Sequence, residues 1–251
     1  MCYYKYYIIM VSIVGNIKIN DTTRLKYLKC TLKSYAFLKD FKLILNIDTD
    51  CKTLDKITEL VKKIGFKNFE LSNESGNYGE VYCRLLEQTK SHWIINLIED
   101  HFCLLNNELA FLTLLNEASS NNVDVIKSSF WQIEKNSSKE IFGHYDTNYG
   151  LVFENNKTNH NLYQKYYGSR YYIGVNFITT LEFAKRFWSR EFETQRPHEF
   201  EISKFDSNFN HICMIPNIEI HASIEDNHGE NKTCLLERNE RKFWEIYNNI
   251  I

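Results

Sequence analysis

Three consecutive side chains able to ligate a metal, Glu99, Asp100 and His101, follow an apolar run from Trp93 to Ile98. Such a run is typical of a strand covered on both faces, and an unpaired charge costs too much to stay inside one. We therefore expect the triplet at the exposed carboxyl end of the strand, where open α/β sheets bind their ligands. The alternative is a solvated turn with incidental acidic residues.

Polar residues also follow two earlier predicted strands. Gly15 and Asn16 come after the first strand, and Asp48 and Asp50 come after the second. Because the carboxyl ends of parallel strands line one crevice, these groups should meet the triplet. Carboxylates gathered there favour Mg²⁺ or Mn²⁺, and a histidine ligand favours Mn²⁺. A cation in a crevice implies a phosphate-bearing substrate.

The first half of the chain alternates apolar strands with helical patterns. The predicted strands cover 6–14, 41–47, 66–71 and 93–98, and the helices between them begin at Asp21 or Thr22, after Asp50, and after Gly79, with another through Leu109, Leu112 and Leu115. This order is typical of a largely parallel sheet with right-handed crossovers and helices on both faces. Because the connections are short and no linker composition separates the halves, we predict one α/β domain over 1–251.

The second half is less regular. It predicts a strand at 123–130, a hairpin at 141–153, a strand at 171–178, helices at 181–188 and 198–205, an extended segment at 211–220 and a closing amphipathic helix at 235–250. The polar residues 223–232 between the last two elements should form a flexible tail.

The charge and cysteine content of the chain argue against some classes of function. The net charge is −2 and no long Lys/Arg run occurs, so we expect no nucleic-acid partner. Seven scattered cysteines without a CxxC pair favour reduced thiols in a cytoplasmic protein. No apolar stretch is long enough for a transmembrane segment.

The order of elements resembles that of GT-A glycosyltransferases of the family 2-like type, which use nucleotide-sugar donors. Four segments carry this resemblance: Thr22–Leu28 with Leu32–Tyr35, Leu43–Asp50, Asn77–Glu80 with Arg84, and Trp93–His101. The family has Asp-x-Asp where this chain has Glu99-Asp100-His101, so the third position departs from its pattern. The resemblance implies a donor-binding half at 7–130 and an acceptor-side half at 131–251.

The resemblance also implies roles for individual residues. A Mn²⁺ or Mg²⁺ ion would be bound by Asp100, His101 and His221, with His228 as a rival to His221. Asp48 would contact the nucleoside base. The full set of expected donor-binding residues is Asn16, Arg24, Asp48, Asp50, Asn77, Arg84 and Glu99.

A catalytic base is expected in the second half, where Arg196 to Glu201 resembles the acidic helix start of inverting members. Glu199 or Glu201 would take the proton of the acceptor hydroxyl. The two side chains point about 200° apart on a helix, so at most one faces the site. A solvated first turn, favoured by the helix dipole, is the alternative.

These inferences predict a metal-dependent, inverting transferase that moves a sugar from a nucleotide diphosphate sugar to a hydroxyl of a glycan or glycoconjugate acceptor. Two alternatives stay open. A nucleotidyltransferase would use the same crevice, but the chain has no Gly-rich phosphate loop. A non-catalytic glycan- or protein-binding module on a degenerate transferase fold would explain the altered triplet.

Overall fold

The computed structural model describes residues 9–128, 144–155, 177–188, 211–225, 234–238 and 240–250. Their strands are β1 (Val11–Lys18), β2 (Lys42–Asp48), β3 (Asn68–Ser72), β4 (Trp93–Asn96), β5 (His101–Cys103), β6 (Val125–Lys127), β7 (His144–Asp146), β8 (Gly150–Asn155), β9 (Phe177–Thr180), β10 (His211–Pro216) and β11 (His221–Ser223). Their α-helices are α1 (Thr22–Ser34), α2 (Cys51–Ile64), α3 (Tyr78–Glu87), α4 (Glu108–Ser120), α5 (Leu181–Trp188) and α6 (Arg241–Asn248).

A nine-stranded sheet in the order β3-β2-β1-β4-β9-β6-β10-β8-β7 forms the centre of the fold. Strands β3, β2, β1 and β4 pair in parallel, while β9 and β8 are antiparallel to both of their neighbours. With β6 and β10 also parallel, every described strand of this sheet except β8 and β9 runs in one direction. The predicted α/β class with a mostly parallel sheet is confirmed. A separate antiparallel pair, β5 with β11, lies beside it.

Local capping explains where the helices of the first half begin and end. The Asp21 carboxylate accepts the Arg24 backbone N–H and begins α1, and Asp50 does the same for α2 through Thr53. Gly65 ends α2 in a left-handed conformation (φ 99°), which costs glycine little. None of the described helices is both long and apolar enough to cross a bilayer.

The alternation of side chains along each strand divides the core between the two faces of the sheet. Ile13, Leu45 and Ile95 pack with α1, α2 and α4, whereas Val14 and Ile44 pack with α3 and α5 on the other face. A smaller cluster joins α6 to β5, β11 and α1. Helices on both faces cover the sheet, which leaves the strand ends as the places where polar groups gather.

Among the boundaries in the first half that differ from the prediction, two lie close to the ends of β1 and β4. Strand β1 does not end before Gly15 but continues through Asn16 to Lys18, in register with β2. A β-carbon at Gly15 would lie 2.7 Å from the Leu97 carbonyl oxygen, so this glycine permits close packing and does not make a turn. Strand β4 stops at Asn96, two residues before the end of its apolar run.

The structure of the second half agrees in part with the elements predicted from the sequence. The hairpin is confirmed as β7 and β8, and α5 spans its predicted residues. The closing helix is shorter than predicted because the backbone N–H groups of Leu235 and Leu236 bond to the carbonyls of Ser223 and Ile224. Residues 198–205 and 226–233 lie outside the described residues.

Candidate functional site

The carboxyl ends of β1, β2 and β4 meet at one edge of the sheet, as predicted. Asn16 and Asn46 face each other in register there, and the Asn46 amide donates to Asn16 Oδ1 at 2.9 Å and to the Glu74 carbonyl at 2.8 Å. Asn46 Oδ1 accepts the Glu74 N–H at 2.7 Å and the Ser72 hydroxyl at 3.0 Å. Asn16 in turn donates to the Tyr78 carbonyl at 3.1 Å. We call these contacts the amide network; it attaches the loop before α3 to the strand ends.

Glu99 and Asp100 form a turn directly beyond β4, which we call the acid turn. Arg24 of α1 donates through Nη1 to Glu99 Oε1 at 2.6 Å and to Asp100 Oδ2 at 3.1 Å. The side chains of Glu99 and Asp100 are only 15% and 19% exposed. The acids lie beyond the carboxyl end of β4, as predicted, but they are less exposed than expected, because the pairing with Arg24 allows both carboxylates to lie largely out of water.

The backbone of the acid turn is held from two sides. The Thr31 hydroxyl of α1 donates to the Glu99 carbonyl at 2.8 Å, and the Ile224 N–H donates to the Asp100 carbonyl at 2.7 Å. The second Asp100 oxygen, Oδ1, lies 2.7 Å from His101 Nδ1. The turn is thus fixed between α1 and the end of β11, with both Asp100 oxygens in contact with nitrogen atoms.

The two carboxyl groups of the acid turn differ in proton affinity. Burial raises the pKa of Glu99, and the neighbouring Asp100 charge raises it further. Burial also acts to raise the pKa of Asp100, but the hydrogen bond and charge of His101, together with Arg24, outweigh it and leave that pKa below its usual value. Adjacent acids with divergent pKa values are characteristic of functional sites.

Three aromatic side chains, Tyr78, Tyr82 and Trp188, pack together beside the acid turn. Burial raises the pKa of the Tyr78 hydroxyl, and the nearby Glu99 charge raises it further. The Tyr78 ring stacks on Tyr82 at 6.0 Å between centroids and lies 5.5 Å from Trp188 of α5. The motifs in the sequence assign no individual role to Thr31, Asn46 or Tyr78. Asn46 could have been found from the sequence, since it is an amide inside an otherwise apolar strand.

The other predicted donor-binding residues lie on the same edge but make local contacts. Asp48 lies 3.8 Å from Lys18. Asp50 caps α2 with both oxygens on Thr53, Asn77 caps α3, and Arg84 pairs with Glu74 at 2.7 Å. Asp50 and Asn77 therefore have structural roles, and their contact with a donor stays a prediction.

His221 lies behind the acid turn, on β11. It is 1% exposed, and its Nε2 lies 2.6 Å from the Tyr35 hydroxyl. Its Nδ1 is buried without a hydrogen-bond partner in the described part of the chain. Burial, with a smaller effect of His101, lowers the pKa of His221 to about 3, so the ring is neutral at physiological pH.

The predicted metal ligands are brought near one another only in part. Asp100 and His101 are bonded together, and His101 pairs in register with Ser223, two residues from His221. Among the described residues, however, no three His, Cys, Asp or Glu side chains are grouped closely enough to hold a metal ion. Carboxylate oxygens and imidazole nitrogens are donor types that suit Mn²⁺, but in the described part of the chain they are not arranged as a metal site. Glu199 and Glu201 lie outside the described residues.

Comparison with known proteins gives distant similarities. No protein-family model and no curated protein matches the chain. S. aureus TarS 1–349 in complex with UDP is 17% identical over 47% of this chain and 34% of that chain, with a TM-score of 0.37. The mannosyltransferase PcManGT from Pyrobaculum calidifontis, in complex with GDP-Man and Mn²⁺, is 8% identical over 52% and 39%, with a TM-score of 0.40. A cytidylyltransferase from Leptospira borgpetersenii is 15% identical over 76% and 68%, also with a TM-score of 0.40.

The matched region spans only about a third of the length of the S. aureus protein (34%). Identities and TM-scores this low assign neither a substrate nor a reaction to this chain. Its function is therefore inferred from its own residues.

Proposed function

We propose that the protein transfers a sugar from a nucleoside diphosphate sugar to a hydroxyl of a glycan or glycoconjugate acceptor. The observation that carries the proposal is the cluster of Arg24, Glu99, Asp100 and His101 at the carboxyl end of β4, beside the ends of β1 and β2. Nucleotides bind at this edge of open α/β sheets, and the sequence resemblance to GT-A transferases favours a sugar donor.

The donor would lie along the strand ends. Asp48 and Asp50, beyond β2, would contact the nucleoside, while Arg24 and Arg84 supply positive charge for the diphosphate. Asn16, Asn77 and Glu99 complete the proposed donor site; Asn16 acts through the amide network that positions the start of α3. Helix α3 begins at Tyr78, where Asn77 already caps the backbone N–H groups of Gly79 and Glu80, so it is the helix dipole that would favour negative charge there.

A divalent cation, Mn²⁺ or Mg²⁺, is part of the proposal. This part of the proposal is supported by the sequence resemblance alone: Asp100, His101 and His221 would hold the cation, although among the described residues these side chains are not grouped closely enough to form a metal site. When bound there, the cation would stabilise the negative charge that develops on the departing diphosphate.

The proposed reaction is a direct displacement with inversion. The acceptor hydroxyl oxygen forms a bond to the anomeric carbon as the bond from that carbon to the diphosphate oxygen breaks, and the electron pair leaves with the diphosphate. The hydroxyl proton passes to the carboxylate of Glu199 or Glu201. The assignment of these glutamates is supported by the sequence resemblance alone.

We further propose that residues 1–251 act as one cytoplasmic domain, with the donor half at 7–130 and the acceptor half at 131–251. This organisation is supported by the central sheet, in which β9 from the second half lies between β4 and β6 from the first. Cell fractionation would test the location.

Thermal-shift and calorimetric titrations test the proposed function. UDP- and GDP-sugars should stabilise the protein, and more strongly with Mn²⁺ than without, while CMP-sugars, which lack a diphosphate, serve as the comparison. Donor consumption in the presence of acceptor glycans then tests transfer. Stabilisation by glycans alone, with no nucleotide effect, would favour the non-catalytic binding module instead.

A further inference from the structure

A cavity of about 560 Å³ lies at the edge of the central sheet opposite the acid turn. Its lining comes from the segments that lead into β4 and β6, and from the end of β9 with the start of α5. Strands β4 and β6 therefore begin at the cavity, and β9, which is antiparallel to both, ends there. The acid turn follows the other end of β4, so a ligand in the cavity would be separated from the proposed donor site by the length of the strand.

The side chains around the cavity offer both hydrogen-bond acceptors and donors. Asp124 Oδ2 accepts the Ile212 N–H at 2.9 Å, while Oδ1 has no hydrogen-bond partner in the described part of the chain. Glu182 and Lys185 are exposed and lie three residues apart on α5. Asn122 adds an amide, which both donates and accepts. These groups line the cavity from two sides, the loop before β6 and the beginning of α5.

The loop before β6 is fixed by hydrogen bonds of its backbone. The Asp124 carbonyl accepts the Thr180 N–H at 2.9 Å and the Thr179 hydroxyl at 2.8 Å. Asn122 has a left-handed backbone (φ 52°), which asparagine adopts more readily than most residues, and its N–H donates to the Ser119 carbonyl at 3.1 Å. The loop is therefore held in place without a ligand, as is usual for small-molecule sites.

Asp124 is a half-buried carboxyl group that the proposed reaction does not use. Burial raises its pKa and the charge of Glu182 raises it further, against the opposing effects of the Ile212 N–H and Arg186. A carboxyl group in a cleft whose pKa is shifted by burial and by identified charges is a candidate functional group. The volume of the cavity, about 560 Å³, also lies within the range of about 300–1,000 Å³ that is usual for small-molecule sites.

The charges of the lining disfavour an anionic ligand. Asp124 and Glu182 supply two carboxylates against the single ammonium of Lys185, and like charges repel one another at close range. Val123 and Leu181 add apolar surface to the lining. A neutral ring that has C–H faces and several hydroxyl groups, each able to donate and to accept a hydrogen bond, matches this combination.

We propose that this cavity binds a neutral saccharide, whose hydroxyl groups donate to Asp124 and Glu182 and accept from Asn122 and Lys185. The inference goes beyond the proposed function, because the site lies away from the strand ends where the donor would bind and takes part in no transfer step. In a protein that acts on glycans, such a site would hold a sugar unit remote from the reacting hydroxyl.

Calorimetric titration of the full chain with maltose, cellobiose, lactose and chitobiose tests the site. At least one of these neutral disaccharides should bind, and Asp124→Asn should weaken its binding by about tenfold or more, because a hydrogen bond to a charged acceptor is lost. The asparagine carbonyl can still accept the Ile212 N–H. Asp55→Asn, at an exposed carboxylate of α2, is the matched control and should bind like the wild type. Binding of none of the four, or equal affinity in Asp124→Asn, overturns the inference.

A second variant covers the case in which Asp124→Asn does not fold. Asn122→Gly removes the side-chain amide, and glycine accommodates the left-handed backbone at this position. The disaccharide should bind about fivefold more weakly to this variant, while Asn116→Ala, on the exposed face of α4, should leave the affinity unchanged. Equal affinity in Asn122→Gly overturns the inference as well.

Competition with UDP and GDP separates this site from the donor site. Saturating nucleotide should leave disaccharide binding unchanged, because the two sites lie at opposite ends of β4. If the nucleotide displaces the disaccharide, the sugar binds at the donor site and the inference fails, whereas the proposed function stands. If neither nucleotide binds, the proposed function fails, while the variants still decide whether the cavity binds a saccharide.

Discussion

The acid turn differs from the amide network and from the His221–Tyr35 pair in how the polar groups find their partners. In the acid turn, two carboxylates depend on one arginine whose side chain is a third exposed (33%). In the amide network and the His221–Tyr35 pair, neutral groups bond to one another inside the protein. The comparison teaches that the charged groups beyond β4 are balanced by a partly exposed partner, whereas neutral hydrogen bonds join the more deeply buried elements around them.

Removing the charge of the acid turn should affect activity far more than stability. Asp100→Asn keeps the shape of the side chain but loses the carboxylate, so we expect donor turnover with Mn²⁺ to fall by about a hundredfold or more. The urea midpoint should also fall, but modestly, because the asparagine carbonyl can still accept one of the hydrogen bonds that Asp100 makes with Arg24 and His101. Asp40→Asn is the control, since Asp40 forms an exposed pair with Lys67. Near wild-type turnover in Asp100→Asn would show that the acid turn is not the functional centre.

Breaking the amide network should have the opposite effect. Asn46→Leu removes four hydrogen bonds of a residue that is 1% exposed and leaves their partners unsatisfied. We expect the free energy of unfolding to fall by about 3 kcal/mol. Chemical denaturation measures the loss, with Asn116→Ala on the exposed face of α4 as the control. A loss no larger than that of the control would remove the distinction between the two regions.

The pKa of His221 predicts a pH dependence of stability. Its folded value of about 3 lies below the ordinary value of 6.5, so the unfolded chain takes up a proton in a range where the folded protein does not. The stabilisation is complete above pH 6.5 and is lost as the pH falls from there towards 3. Relative to His221→Gln, the wild type should lose up to about 1.4 kcal/mol per pH unit below 6.5.

Urea denaturation from pH 7 to pH 5 in metal-free buffer measures this slope. His92→Gln, at an exposed histidine, provides the control and should keep the wild-type slope. Identical slopes for wild type and His221→Gln would mean that His221 is not buried as a neutral ring.

The smallest effect is expected for the partner of His221. Tyr35→Phe keeps the aromatic ring in the core but removes the hydroxyl that lies 2.6 Å from Nε2, which should lower the free energy of unfolding by about 1 kcal/mol at pH 7. Tyr145→Phe, on the exposed strand β7, serves as the control. A change within the error of the control would show that the Tyr35–His221 contact contributes nothing to stability.

Local signals predicted most of the first half. Asp21 caps α1 as expected, and Gly65 ends α2. Asp50 and Asn77, which were expected only as donor-binding residues, also cap helices. Each of the four acts on neighbours only a few residues away, so the sequence shows both partners together. Alternation and apolar runs likewise located the strands of the parallel sheet, although not the end of β4.

The contacts that form the site join residues far apart in the chain, so local sequence patterns could not predict them. Arg24 and Glu99 are 75 residues apart, and Tyr35 and His221 are 186 apart, so no pattern links them in the chain. Nothing near Glu99 and Asp100 in the chain shows the arginine that pairs with them, so the two carboxylates were expected in water. Likewise, nothing near His221 in the chain shows that Tyr35 contacts one of its ring nitrogens.

Gly15 has a consequence for how variation in this protein will be interpreted. The Leu97 carbonyl lies so close to its α-carbon that even alanine would meet that oxygen, and Leu97 leads directly into Glu99 and Asp100. A larger residue at position 15 would push the acid turn outward without touching any ligand. In a saturation-mutagenesis screen for activity, position 15 would therefore tolerate as little change as a catalytic residue, although its contribution is only the space that it leaves empty.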